Sequence, residues 1–250
     1  MRLLFIRHGD PDYEHDSLTE KGFREAQLLA DRLEKERLDH IFLSPQGRAQ
    51  RTAEPTLARL GRTGETFSWL HEFTHLVRLP ETGEEHLVWD LLPAFLDVHP
   101  RLREADNWLN EPFISQSAVP EKYREACEGL DKLLAAHGYE RCGGYYRAIR
   151  PNRDTLAFFC HFGTTGILLR GFFHPPFSLV RAFSDSAAAI FCGGAHFGDR
   201  RVHGGAGTRH CVLPRGVLRR CVASLCGRGV SFLFGAFLRD LRFGRAPLKI

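Results

Sequence analysis

Two apolar runs in this chain, Leu3-Leu4-Phe5-Ile6 and Leu156-Ala157-Phe158-Phe159-Cys160, each stop close to a histidine. Runs of four or five consecutive apolar residues read as strands buried on both faces, which is the pattern of a parallel sheet inside an α/β fold. The first run leads into Arg7-His8-Gly9 and the second into His161. Parallel strands put their C-terminal ends on one edge, and open α/β sheets bind ligands along that edge. The two histidines are therefore expected side by side at a ligand site.

The intervening chain supports the same architecture. Ser17-Leu18-Thr19-Glu20 fits a capping box. The helix after it carries Ala26, Leu29, Ala30 and Leu33 on one face. Residues 39–44, Asp-His-Ile-Phe-Leu-Ser, read as a second strand, and Pro45 and Gly47 turn the chain into a helix through Arg48, Ala49, Thr52 and Ala53. Glu121 to His137 has the period of a further amphipathic helix. Asp154 to Cys160 is the third strand, and Gly163-Thr164-Thr165-Gly166 opens another helix. Strand and helix in alternation imply crossovers over a mostly parallel sheet, a three-layer α/β/α sandwich. Prolines at 80, 93, 100, 112 and 120 interrupt residues 75–120. That segment reads as short helices forming either an insertion over the sheet edge or an ordinary helical connection.

Composition excludes some classes. The chain has 250 residues, room for one α/β domain with an insertion or two small domains. Leu156 to Phe173 is its most apolar stretch, but His161, internal glycines and Arg170 interrupt it, and it is too short and too polar for a membrane span. Arg2 is followed by only four apolar residues, so no leader peptide is expected. The 7 cysteines are odd in number and lack CxxC pairs, which points to a reduced, cytoplasmic protein without a structural metal.

The residues at the sheet edge suit phosphoryl transfer. The two strand-end histidines, His8 and His161, would meet Arg7 and also Arg48, which lies one turn after the end of the second strand, Ser44-Pro45. Arginine forks match phosphoryl oxygens two at a time. A neighbouring guanidinium disfavours the imidazolium, so His8 would stay neutral and nucleophilic. Positioned cations stabilise the charge that spreads over the transferred group. A leaving alkoxide needs a proton, which a carboxylic acid can give. Glu72, in Trp69-Leu70-His71-Glu72-Phe73, stands at a suitable place after the second crossover. Competing readings are specific: Arg51 lies three residues from Arg48, and Glu81, Glu84 and Glu85 lie near Glu72. His15, His71, His75 and His86 read as solvated or supporting residues.

These motifs together resemble the histidine phosphatase superfamily, the phosphoglycerate mutase-like family. The matching pieces are Arg7-His8-Gly9, Leu18-Thr19-Glu20-Lys21-Gly22 with Gln27 and Ala30, the run from Ser44 to Glu54 with Arg48 in it, Leu70-His71-Glu72, and His161. The resemblance covers residues 1 to about 177. It implies a phosphohistidine on His8, a phosphate clamp of Arg7 and Arg48, a second pocket histidine in His161, and a general acid and base in Glu72. It implies no cofactor and no metal, and a small phosphorylated metabolite as partner rather than nucleic acid or membrane. The expected activity is hydrolysis of small phosphomonoesters. The alternatives are phosphoglycerate mutase-type transfer, and an inactive binding module or poorly folded member. Two departures stand out. Gly9-Asp10-Pro11-Asp12 replaces the Gly-Glu-Thr common in the family, and Phe162 stands where glycine often follows the second histidine.

Residues 178–250 differ from the rest. They carry 11 Arg, 1 Lys, 3 Asp and no Glu, a balance of +9, whereas residues 1–177 balance at −5. They also hold 4 of the 7 cysteines and 11 of the 24 glycines. The resemblance implies a 1–177 catalytic core with a helical insertion over about 75–120, followed by an atypical tail. A basic nucleic-acid-binding tail is disfavoured by the many Phe, Leu and Val residues and the absence of a lysine run. The preferred reading is a shift of reading frame near Phe183. Back-translation of residues 183–200, and of the chain from Arg219, gives stretches similar to the family's C-terminal part when read one base further on. A genuine, divergent tail is the alternative. Such a tail is expected to leave apolar surface bare and a strand edge unpaired.

Overall fold

In a computed structural model, residues 1–104 and 107–173 are described, together with the strands Phe191–His196, His210–Cys211 and Leu233–Phe234. In chain order the elements are β1 (Arg2–Arg7), β2 (Pro11–Asp12), β3 (Ser17–Leu18), α1 (Glu20–Leu33), β4 (His40–Leu43), α2 (Gly47–Leu60), β5 (Glu65–Thr66), β6 (Leu76–Arg78) and β7 (Glu85–Leu87). Then come α3 (Pro93–Val98), α4 (Pro112–Ser115), α5 (Val119–Ala136), β8 (Tyr139–Cys142), β9 (Tyr145–Ala148), β10 (Thr155–Cys160) and α6 (Phe162–Phe173). The last strands are β11 (Phe191–His196), β12 (His210–Cys211) and β13 (Leu233–Phe234).

The central sheet runs β13-β11-β1-β10-β4-β5. Strands β1, β10, β4 and β5 are mutually parallel, whereas β11 is antiparallel to β1 and β13 to β11. Alternation along the strands divides the core. Leu4, Ile6, Ile41, Leu43, Ala157 and Phe159 pack with Leu29 and Leu33 of α1 and Ala53 of α2. Leu3, Phe5, Phe42, Leu156, Phe158 and Cys160 pack on the other face with Leu130 and Leu134 of α5 and Leu168 of α6. This is the three-layer α/β/α arrangement with a mostly parallel sheet.

Several local expectations change. Thr19, not Ser17, caps α1: its hydroxyl accepts from the Gly22 amide, while Ser17 pairs in the small β2–β3 hairpin. Residues 75–120 contain a β6–β7 hairpin besides short helices, and they carry their own apolar cluster around Trp108, Leu96, Leu102 and Ile114, which reaches Ile167 of α6. The β8–β9 hairpin lay outside the sequence pattern; Gly143 turns it with φ +62°. Beside β1 the sheet continues into Phe191–His196, so β1 is not an open edge. The proposed frame break at Phe183 lies outside the described residues. No helix among the described residues is long and apolar enough to cross a membrane.

Candidate active site

Register builds the site. Arg7 of β1 lies opposite Cys160 of β10, so the next residues, His8 and His161, emerge together, with ring centroids 5.2 Å apart. Leu43 of β4 lies opposite Phe159, which brings Ser44 to the same edge. Ser44 Oγ is 2.7 Å from His161 Nε2 and also accepts the Gln46 amide. Either partner can donate in the Ser44–His161 contact; when the hydroxyl donates to Nε2, the proton of the neutral ring resides on Nδ1. That Nδ1 is buried and has no hydrogen-bond partner among the described residues.

His8 is 5% exposed. Its Nδ1 is 2.8 Å from the Gly9 carbonyl, an acceptor only, so Nδ1 donates and Nε2 keeps its lone pair. Burial lowers the His8 pKa to about 4; the Gly9 carbonyl opposes the shift, and Arg7 and Arg48 reinforce it. Burial also lowers His161, with Arg48 and His8 adding to the effect. Both rings are thus neutral at pH 7.

The loop after His8 is fixed by close backbone approach. The Gly9 amide donates to Thr52 Oγ1 at 3.0 Å. A Cβ on Gly22 would stand 2.2 Å from the Asp10 carbonyl oxygen, so the start of α1 can lie against this loop only as glycine. That contact gives Thr19-Glu20-Lys21-Gly22 a physical reason.

Arg48 enters from the first turn of α2 and is 7% exposed. Its Nη1 pairs with Asp16 Oδ1 at 2.6 Å, and its buried Nε has no partner among the described residues. Asp16 Oδ2 accepts the Gly47 amide at 2.6 Å. Burial pushes the Asp16 carboxyl up, but the Gly47 amide and Arg48 outweigh it and hold it below the usual range. Asp16 also adopts φ +45°, a left-handed conformation uncommon outside glycine. Sequence reasoning missed Asp16; its position four residues before the Glu20 helix start was no signal of a partnership with Arg48.

Glu72 follows a 3-10 turn, Ser68–Leu70, and is half-buried. Its Oε1 accepts the Phe73 amide at 2.9 Å and the Thr164 amide at 3.0 Å. Its own amide donates to Gln46 Oε1 at 2.6 Å. Burial raises its pKa; the two amides and the nearby Arg48 and Arg7 oppose that rise without cancelling it. Since Oε1 is occupied by donors, a proton on this carboxyl sits on Oε2. Ligand atoms of His8, Glu72 and His161 lie within 4.8 Å of one another. The same three could geometrically ligate a cation, but Arg7 and Arg48 beside them make the pocket a place for an anion.

The alternatives fall elsewhere. Arg51 pairs with Glu54 at the surface, Glu81 and Glu84 approach His99 and His86, and Glu85 pairs with Arg78. Phe162 does not project into open space: it is 6% exposed, its ring lies 5.6 Å from Trp89, and the Arg7 guanidinium stands 5.7 Å over it. Gly163 allows the contact, because a Cβ there would meet Trp89 Nε1 at 2.2 Å and Glu72 Oε1 at 2.8 Å.

The chain matches the family model of the histidine phosphatase superfamily (branch 1) over residues 3–192, which carries the match past the expected limit near 177. It is 28% identical over 145 residues, 54% of this chain and 68% of the relative, to a Hydrogenobacter thermophilus protein provisionally named phosphoserine phosphatase 2. Its fold resembles that of a mutant Entamoeba histolytica phosphoserine phosphatase solved with phosphoserine, at 17% identity and a TM-score of 0.50, covering 78% of this chain and 90% of that one. It likewise resembles a mycobacterial glucosyl-3-phosphoglycerate phosphatase, at 23% identity and a TM-score of 0.50, covering 78% of this chain and 91% of that one.

Proposed function

The chain belongs to the histidine phosphatase superfamily, branch 1, and from that premise we propose that it hydrolyses small phosphomonoesters through a phosphohistidine on His8. The observation that carries the reading is the pairing of a neutral, tautomerically fixed His8 with two buried nitrogens that lack partners among the described residues, Arg48 Nε and His161 Nδ1. An unpaired buried donor is costly, and an incoming phosphoryl group would satisfy Arg48 Nε–H and, in the tautomer protonated on Nδ1, His161 as well.

His8 Nε2 attacks phosphorus while the ester oxygen departs. Arg7, Arg48 and the Nδ1–H of His161 hold the equatorial oxygens. Glu72 gives the proton on Oε2 to the leaving alkoxide. In the second half the same oxygen takes a proton from water, which attacks the phosphohistidine, releases inorganic phosphate and restores His8. A cytoplasmic location belongs to the same proposal; among the described cysteines, Cys127, Cys142 and Cys160 are free thiols. The name of the Hydrogenobacter relative makes phosphoserine the first biological ester to assay.

The test is a steady-state assay of the 250-residue chain with p-nitrophenyl phosphate and phosphoserine beside His8→Ala. Turnover that disappears in the variant supports the proposal. Equal turnover in both proteins, or a cooperatively melting wild type that binds phosphate and turns over neither ester, contradicts it. Turnover that needs added bisphosphoglycerate would favour the mutase alternative.

A further inference from the structure

At the end of the sheet opposite His8, three residues distant in sequence meet. His40 opens β4, His137 is the C-cap of α5, and Asp154 immediately precedes β10. One ligand-capable atom from each lies within 4.8 Å of the other two. The His40 and His137 rings meet edge to face with centroids 4.3 Å apart, and both pack near Phe42. Their contacts are therefore aromatic, and their ring nitrogens make no hydrogen bond among the described residues.

The backbone under these side chains is held. His40 lies in the β4–β10 ladder opposite Leu156. Asn152 ties the other two together: its Nδ2 donates to the His137 carbonyl at 2.8 Å and its Oδ1 accepts the Asp154 amide at 3.2 Å. His137 also sits at the C-terminal, partially negative end of α5, which favours a cation. Two other cations are near: Arg37 lies 2.7 Å from Asp39 but 3.7 Å from Asp154 Oδ1, so Asp39 is its main partner, and Arg150 donates to the Ala136 carbonyl at 2.9 Å.

We propose that His40, His137 and Asp154 form a binding site for a zinc-like divalent transition-metal ion, with the fourth position taken by water. Two imidazoles and one carboxylate suit such ions. Zn–N distances of about 2.0–2.1 Å put tetrahedral ligand atoms roughly 3.4 Å apart, so side-chain rotation of about an ångström closes the site. The ion would fasten the starts of β4 and β10 to the end of α5. Sequence spacing cannot reveal it, because each ligand comes from a different element.

The test uses the full chain stripped with chelator, titrated with ZnCl₂ by calorimetry and melted with and without the ion; Co²⁺ serves as the spectroscopic probe. The expected result is one ion per chain, a raised Tm, and Co²⁺ ligand-field bands without thiolate charge transfer. His8→Ala should leave this uptake unchanged, which separates the site from the catalytic cluster. Asp154→Asn and His137→Gln should each weaken it about tenfold or more. No uptake by the wild type, a thiolate band, or unchanged affinity in Asp154→Asn overturns the inference. Should His137→Gln fail to fold, Asp154→Asn and the wild-type Co²⁺ spectrum decide.

Discussion

At the scale of single residues, the site separates two titrations. In the proposed mechanism His8 must be neutral to attack, and its pKa is lowered to about 4. In the same mechanism Glu72 must be protonated to release the alcohol, and burial raises it above an ordinary glutamate. The expected kcat/KM therefore climbs as pH passes through about 4 and falls once Glu72 loses its proton. In kcat/KM, which reports phosphoryl transfer to His8, Glu72→Gln should cost little with p-nitrophenyl phosphate, whose leaving group needs no proton, and at least about a hundredfold with phosphoserine, while the later attack of water, where Glu72 is the base, slows alike for both; equal kcat/KM losses on both esters would remove Glu72 from the acid role. Asp16→Asn takes the charge from the partner of Arg48 and should raise the Ki for inorganic phosphate about tenfold with little change in Tm. That Arg7, His8, Arg48 and His161 converge on one sheet edge was legible because they lie at a strand end or in the first turn after one, whereas the place of Glu72 after the 3-10 turn Ser68–Leu70 had no strand to mark it. Asp16 was not, since a loop aspartate becomes informative only when φ +45° and Gly47 place it against α2.

At the scale of elements, the buried strands were the most readable part of the chain. All six residues of β10 are buried, which is why the run reads without alternation. Phe159, fully buried beside Leu4, Ile6 and Leu33, should cost about 3–5 kcal/mol as Phe159→Ala in urea unfolding; a change under 1 kcal/mol would contradict the layered core. The short hairpins were not legible. Residues 76–78 and 85–87 are only three-residue strands, so alternation has no length over which to appear. The start of α1 was misjudged for a related reason: Ser17 and Thr19 are both good caps, and the β2–β3 pairing, a contact outside the helix, decides between them. Gly163→Ala is expected to displace Trp89 and Glu72 together, lowering kcat more than Tm.

At the scale of the whole molecule, the candidate catalytic edge is assembled from β1, β4, β10 and the first turns of α2 and α6, all before residue 174. The sheet nevertheless continues into Phe191–His196, which pairs along β1. A chain ended after Phe173 should therefore aggregate or melt lower than one ended after His196, because the inner strand β1 becomes an open edge. Composition revealed the break near 178 but not this pairing, since Phe-Cys-Gly-Gly-Ala-His has neither alternation nor strand-forming residues throughout. The origin of the basic tail is decided by a DNA or RNA read across the codons for Phe183, which the frame-shift reading expects to restore the family's ending in another frame. The central claim is tested most directly by trapping the enzyme during turnover of phosphoserine or p-nitrophenyl phosphate, under alkaline quench, and mapping the phosphoryl group by mass spectrometry. The account predicts a phosphorylated His8 peptide, absent from His8→Ala. Turnover with no phosphoryl group on His8, or with the label on another residue, would contradict it.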